Sequence, residues 1–456
     1  MKLYDAFGRE VDLGRLREEQ AAPTMSGVRN IYSSMYPSVG LTPQRLTAIL
    51  REAEFGDPFL YLELAEEMEE KDLHYLAVLS TRKEAVAQID YEIKPASAAA
   101  EDVRAAELVR AMLANDALEL AAAMIEILDA IGKGFSATEI IWDSSEREWF
   151  PRRLRRRDPR WFVFDWVSGE ELLVRSLRDE GPQIPVAGER AARGAHFKGA
   201  ALYGALRGNI GIQPLTEPLL PCKFIVHIAQ AKSGLPIRGG LARAAGWSYL
   251  FKNYVLKDWV TFAEVFGQPL RVGKYGPGAT EQDKQALLQA VANIGTDAAA
   301  IMPESMIIEF TEARQSGSAE LYQSMCAYLD AQVSKAVLGQ TLTTEIPQGA
   351  GSRAAAEVHD TVRRDIVGAD ARRLAATLNR DLIRPIVDLN LGPRKNYPRM
   401  VLGIADDSDA AEFVDIVTRL ADRGVRIGQR SVLERLGIAE PQPDEAIMQP
   451  GRLASN

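Results

Sequence analysis

Chemistry-bearing residues are scarce in this chain. Two cysteines, Cys222 and Cys326, and four histidines, His74, His196, His227 and His359, are spread over 456 residues. Both cysteines lie in apolar stretches, which reads as small buried hydrophobes and not as a disulfide or a metal site. No two histidines stand at metal-ligand spacing, and neither HExxH nor CxxC occurs, so no metal or cofactor is expected. There is no GxSxG elbow, and neither cysteine has a histidine beside it in sequence. Long apolar runs are missing too: LELAAAMIEILDAIG, one of the more apolar stretches, carries Glu119, Glu126 and Asp129, and nothing approaches the roughly 18 residues a membrane helix needs. The chain opens on the charged MKLYDAFGREVDLGRL and not on a secretory leader, which points to a reducing cytoplasm. Positive charge is in deficit, with a net charge of −9 and a pI near 5.3. Such a surface does not grip nucleic acid, yet it would let a duplex slide past without the hold of counterion release.

Hydrophobic residues make up 46% and charged residues 26%, the balance of an ordinary globular protein long enough for two to four domains. Residues 1–45, with Pro23, Pro37 and Pro43, read as an extended arm of the kind that packs on a neighbouring subunit. Residues 46–236 read as one α+β domain. It has a helix capped by Thr42 with Pro43 at its first position, a helix through LHYLAVLSTRKEAVAQI, a strand DYEIKP and a helix Glu101–Ile131. Strands ATEIIWD, WFVFDWV, EELLVRSL and CKFIVHIA follow, with Gly-rich connections between residues 194 and 212.

From Gly239 to Phe266 the chain is helical and rich in aromatics: Trp247, Tyr249, Phe251, Tyr254, Trp259, Phe262 and Phe266. A strand–helix–strand unit follows: QPLRVGKY, a helix capped by Thr280, then AAIMP and MIIEFTEA. A second helix, 317–338, places Leu321, Met325, Tyr328, Leu329, Val333 and Val337 at helical spacing and stops at Gly339. After the polar loop QTLTTEIPQGAGS (340–352), a long helix runs from Arg353 to about Asn390, with a bend invited by Gly368 and Pro385. The Asp-rich IADDSDA leads, with Ser408 as cap, to a helical end with Phe413, Ile416, Val417 and Leu420 on one stripe, a stop at Gly424 and a short helix near Val432–Leu436. A polar loop between two rods suits something that touches a passing partner better than it suits a buried catalytic pocket.

A motor would need a phosphate loop. In GQPLRVGKY the glycine spacing is one residue too long and Tyr275 stands where Ser or Thr must reach magnesium; GAGSR at 349–353 lacks the lysine. Asp406, Asp407 and Asp409 lack the spacing and the glycine of a calcium loop, and read as a solvated link at a helix N-terminus. Arg152, Arg153, Arg155, Arg156 and Arg157, with Arg160, form the strongest electrostatic feature. They suit phosphate contact or docking on an acidic partner, or else inter-subunit salt bridging on a solvated face. The segment LADRGVRIGQRSVLERLGI has the outline of a DNA-reading helix–turn–helix, but Glu434 lies between Arg430 and Arg435, which favours packing alone.

Several runs together resemble the portal proteins of Mu-like tailed phages and prophages. They are HYLAVLSTRKEAVAQIDYEIKP (74–95), FSATEIIWD (135–143), RRDPRWFVFD (156–165), SKAVLGQTLTTE (334–345), GSRAAAEVHDTVRRDI (351–366) and ADRGVRIGQRSVLERLGIAEPQPDE (421–445). The resemblance spans nearly the whole chain and departs at Arg353 and the alanines after it, where a bulkier residue is expected. It implies an α+β portal fold and a non-enzymatic, dodecameric ring at one capsid vertex of the virion, assembled in the host cytoplasm. Double-stranded DNA would enter and leave through it non-specifically, and it would meet the major capsid protein, the terminase large subunit and a head–tail adaptor, with no membrane. On that plan residues 1–45 are an arm, 46–236 the wing, 237–267 the first stem helix, 268–316 the clip and 317–339 the second stem helix. Residues 340–352 are the channel-facing tunnel loop, 353–404 the long wing helix and its return, and 405–456 the crown. Thr341, Thr343, Thr344 and Gln348 would make transient hydrogen bonds to phosphates, and Lys252 and Lys257 would be bore-facing charges. The competing expectations are a DNA-binding packaging accessory or regulator using the C-terminal helices, and a packaging enzyme that turns over nucleotide.

Overall fold

The computed structural model describes residues 3–25, 27–32, 36–145, 148–177, 215–266, 271–276, 278–293, 299–303, 318–341, 353–403 and 407–436. The chain divides into two compact units, Met1–Leu402 and Gly403–Asn456.

The first unit is α+β. Helices α1 (Pro43–Glu54), α2 (Phe59–Lys71) and α3 (Leu73–Ala87) open it, and Thr42 and Asp72 cap α1 and α3 by accepting backbone N–H groups of the first turn. Strand β1 (Tyr91–Lys94) and α4 (Ala100–Leu113) follow. The helix expected over Glu101–Ile131 is broken into α4, a 3-10 turn Asp116–Leu118, α5 (Leu120–Ile127) and α6 (Ala130–Lys133). Asn115 caps the turn through its side chain, and Glu119 adopts a left-handed φ of 48°. Neither residue is a glycine or proline, so the ordinary breaker signals were missing.

Strands β2 (Phe135–Ser144), β3 (Trp149–Arg157) and, later, β7 (Phe224–Ile228) form an antiparallel sheet in the order β3-β2-β7, with a bulge between Ile141 and Trp142. A second antiparallel sheet joins β4 (Phe162–Phe164), β5 (Leu172–Arg175) and β6 (Thr216–Pro218). The Gly-rich stretch 194–212 lies outside the described residues. The arm packs on its own chain: Leu16 and Ala21 are buried, Lys223 donates to the Leu16 carbonyl at 2.6 Å and Glu139 accepts from the Ala21 N–H at 3.1 Å.

Helix α7 (Leu241–Phe266) carries the chain away, and β8 (Arg271–Tyr275) and β9 (Ala299–Pro303) pair in parallel. The crossover between them includes α8 (Glu281–Asn293), as parallel strands require. Thr280 and Asp283 cap α8 reciprocally, each accepting the other's backbone N–H. The stretch MIIEFTEA lies outside the described residues. Helix α9 (Ser318–Leu338) returns, and α10 (Arg353–Leu378) runs unbroken through Gly368, so no interruption occurs there. The irregularity falls instead in a π turn, Asn379–Ile383, ahead of Pro385 in α11 (Arg384–Leu391). Proline cannot donate to the carbonyl four residues back, and the widened turn absorbs the missing bond without ending the rod. Strand β10 (Arg399–Leu402) then pairs antiparallel with β1. The core is continuous from Leu46, Tyr61 and Leu79 through Phe135, Ile140 and Phe162 to Leu374, Leu382 and Ile386.

The second unit contains α12 (Asp407–Asp422) and α13 (Gln429–Leu436), with Gly424 at φ 81° after the first helix. Ser408 is inside α12 and not its cap; Asp406 lies outside the described residues.

Candidate functional site

The root of the polar loop is built like a socket. Gly339 ends α9 at φ +72°, and a Cβ there would come within 2.7 Å of Ile366 Cδ1 and 2.9 Å of Val362 Cγ1. Only glycine combines that backbone with so close an approach to α10. Gln340 is buried and Thr341 half-buried; Thr343, Thr344 and Gln348 lie outside the described residues. Because Gly339 meets α10 at Val362, the nine residues from Arg353 to Thr361 precede that contact, a length of about 14 Å at 1.5 Å per residue. Arg82 on α3 binds both rods, donating to the Val337 carbonyl at 2.6 Å and to the Asp370 carboxylate at 2.7 Å. His74 Nε2 adds a hydrogen bond to Ser334 Oγ at 2.7 Å.

Helices α7 and α9 pack together, with the Trp259 ring stacked on Tyr322 (centroids 6.3 Å apart) and Phe262 tilted against the same ring at 5.9 Å. The aromatics of α7 divide by face. Tyr249 is buried in the body, whereas Trp247, Phe251 and Tyr254, at i, i+4 and i+7, are exposed on one stripe. The apolar residues of α9 divide likewise: Val333 and Val337 are buried, and Leu321, Met325 and Tyr328 are 58%, 44% and 64% exposed. The sequence spacing alone joined these into one stripe, because a four-residue repeat advances about 40° per step around a helix of 3.6 residues per turn and brings Val337 to the side opposite Leu321. Lys252 is not a free charge. Its Nζ lies 2.9 Å from Asp72 and 2.6 Å from Asp330, fastening α7 to α3 and α9 with its side chain only 15% exposed. Lys257 is exposed.

The arginine run does not form one basic surface, since β3 alternates its side chains. Arg157 is buried against the fully buried Glu139 at 2.8 Å, and Arg156 lies 3.4 Å from Asp129 and 3.8 Å from Glu66. Arg152 sits 3.7 Å from Asp143, and Arg160 pairs with Glu63 and Asp158. Arg153 and Arg155 are exposed and have no ion pair within 4 Å among the described residues. Most of the run is therefore committed within the chain.

Burial opposes ionisation of Asp129, but Lys133, Lys83 and Arg156 outweigh it and hold the carboxyl well below the usual carboxylate range. Lys133, itself buried, lies 2.6 Å from Asp129 and 2.5 Å from Glu66. Burial pushes the Cys222 thiol up to about 12, helped by Asp5 and Asp388, so it is a poor nucleophile at neutral pH. Among the described residues no group of three or more His, Cys, Asp or Glu side chains could hold a metal ion, and no described helix is long and apolar enough to cross a membrane.

The described residues form an α+β body and a helix pair carrying a small parallel βαβ unit, with Gly339–Thr341 rooted where α9 meets α10. Comparison with known proteins gives the family. The profile described as portal protein of Mu bacteriophage matches residues 62–438. The portal protein of Escherichia phage Mu is 35% identical over 453 residues, covering 98% of this chain and 80% of that protein. The Mu-like prophage FluMu protein gp29 of Haemophilus influenzae is 35% identical over 448 residues, covering 97% of this chain and 78% of the relative. This chain belongs to the Mu portal protein family. Among solved structures, chains from the neck of an empty and of a native gene transfer agent particle are 12% identical, with 88% of this chain and 95% of each of theirs covered, at TM-scores of 0.48 and 0.47.

Proposed function

We propose that this protein is the portal of a Mu-like phage or prophage. Twelve copies close into a ring at one capsid vertex, through which double-stranded DNA is packaged and ejected and on which terminase, and then a head–tail adaptor, docks. It works as a conduit and not as an enzyme, within the virion and against the major capsid protein. On this reading residues 1–45 are an arm, 46–236 the wing, α7 and α9 the stem, the β8–α8–β9 unit the clip, residues 340–352 the tunnel loop, 353–404 the long wing helix and its return, and 405–456 the crown.

The observation that carries the reading is the helix pair with two separate exposed apolar stripes, Trp247–Phe251–Tyr254 on α7 and Leu321–Met325–Tyr328 on α9. A ring closed by rotation needs two different faces on each subunit, one to meet the preceding copy and one the next. Exposed apolar faces of this kind mark interfaces. The loop supports the channel role. Its threonines and Gln348 offer hydrogen bonds to phosphates without the salt-dependent grip of a lysine ring, and the net charge of −9 does not retain a polyanion.

Deleting Thr341–Gly349 is the test. Rings should still assemble while particles fail to package or retain DNA; full packaging by the deletion would remove the loop from the mechanism.

A further inference from the structure

A cavity of about 530 Å³ lies between the C-terminal half of α10, the π turn and strand β10, and four arginines, Arg372, Arg380, Arg384 and Arg399, line it. Ala6, Ala376 and Val401 supply its accessible apolar surface, above the buried Ala375, Met400 and Leu402. Such a concentration of one charge is unexpected on a chain whose net charge is −9. Arg380 and Arg384 have carboxylates of their own, Asp381 at 2.6 Å and Asp388 at 3.4 Å. Arg372 and Arg399 are exposed and make no ion pair or side-chain hydrogen bond among the described residues.

A second, independent observation concerns β10. Its register sets Arg399 directly opposite Lys94 of β1, two like charges on one face of an antiparallel pair. That arrangement destabilises the sheet unless an anion lies between them. Glu92 reaches Lys94 at 3.2 Å, which leaves Arg399 uncompensated. The π turn is a third. It places Asn379 and Arg380 in the cavity wall, and the Asn379 amide holds both the Met400 N–H (2.7 Å) and the Met400 carbonyl (2.9 Å). The backbone groups of Met400 are therefore already used, so an incoming segment would be held by side chains and not by strand addition.

We infer that this cavity is a docking socket for a peptide segment of a partner protein, with one apolar side chain on Ala376 and Val401 and flanking carboxylates on Arg372 and Arg399. Charge complementarity selects an acidic partner, and the apolar floor selects a peptide. A phosphodiester strand has nothing to place on Ala6, Ala376 and Val401.

The test uses the purified full-length chain and a fluorescein-labelled hexapeptide of alternating glutamate and leucine, followed by fluorescence anisotropy. The peptide should bind, and Arg372→Glu with Arg399→Glu should weaken it roughly tenfold or more, the loss of two rim ion pairs. Both arginines are exposed, and Arg399→Glu removes the like charge opposite Lys94, so thermal stability should not fall. Ala376→Phe, which fills the floor and keeps every charge, should abolish binding as well. Hexaglutamate binding as tightly as the alternating peptide would overturn the apolar anchor. Displacement of the peptide by inorganic phosphate or a short DNA duplex would overturn the proposal in favour of a phosphate site. Equal binding by wild type and both variants would place the peptide elsewhere and end it.

Discussion

Arg82 and Asp370, 288 positions apart in sequence, meet at 2.7 Å, and the same guanidinium caps the end of α9 at Val337. One side chain on α3 thus holds both rods that flank the polar loop. Asp370 is buried, and its other neighbour, Arg373, stands 3.4 Å away.

Arg82→Met should leave the Asp370 carboxylate with the half-exposed Arg373 alone and destabilise the body by about 3 kcal/mol, the lower end of the cost of breaking a largely buried pair. Denaturant unfolding measures the loss. Amide exchange should rise first at 337–341 and 362–370; unchanged exchange there would mean that the root is held by packing alone.

Gly339→Ala should cost about 1–2 kcal/mol for the left-handed backbone alone, with the approach to Ile366 and Val362 added to it. Combining it with Val362→Ala should recover part of the contact cost and none of the backbone cost. A double-mutant cycle separates them, and strict additivity would show that no clash exists.

The arginines of β3 should behave unequally. Arg157→Ser leaves the fully buried Glu139 to Lys223 at 3.7 Å and two backbone N–H groups, and should destabilise the fold by about 2–4 kcal/mol. Arg153→Ser with Arg155→Ser should leave unfolding within about 0.5 kcal/mol of wild type. If the exposed pair serves assembly, ring formation will weaken in that variant; intact rings with less particle DNA would point to a DNA contact.

His227 is buried beside Thr377 Oγ1 at 2.9 Å, and burial pushes its pKa down to about 4. The unfolded chain then binds more protons than the folded one between roughly pH 4 and 6.5, so this contribution to stability is complete above 6.5 and lost on acidification. From pH 7 to 5 the loss should be about 2 kcal/mol. His227→Gln should flatten that part of the stability–pH curve; an unchanged slope would assign it to other groups.

Legibility from sequence followed the physics of each element. Helices α1, α7 and α9 announced themselves through Thr42–Pro43, a dense aromatic period and the stop at Gly339. The break at Asn115–Glu119 was hidden, because a capping amide and a left-handed glutamate resemble ordinary helix residues. At the candidate site, spacing showed which residues were apolar but not that Leu321 and Val337 face opposite ways. The pairing of Lys252 with Asp72 and Asp330, and of Arg157 with Glu139, is tertiary and leaves no local mark. Arg82 carried no motif; only the approach of α3 to both rods reveals it.

Class-averaged electron microscopy of the purified full-length protein tests the central claim most directly. The account predicts closed rings with an open central bore wide enough for a duplex. A compact monomer, or an assembly with no central hole, would contradict it.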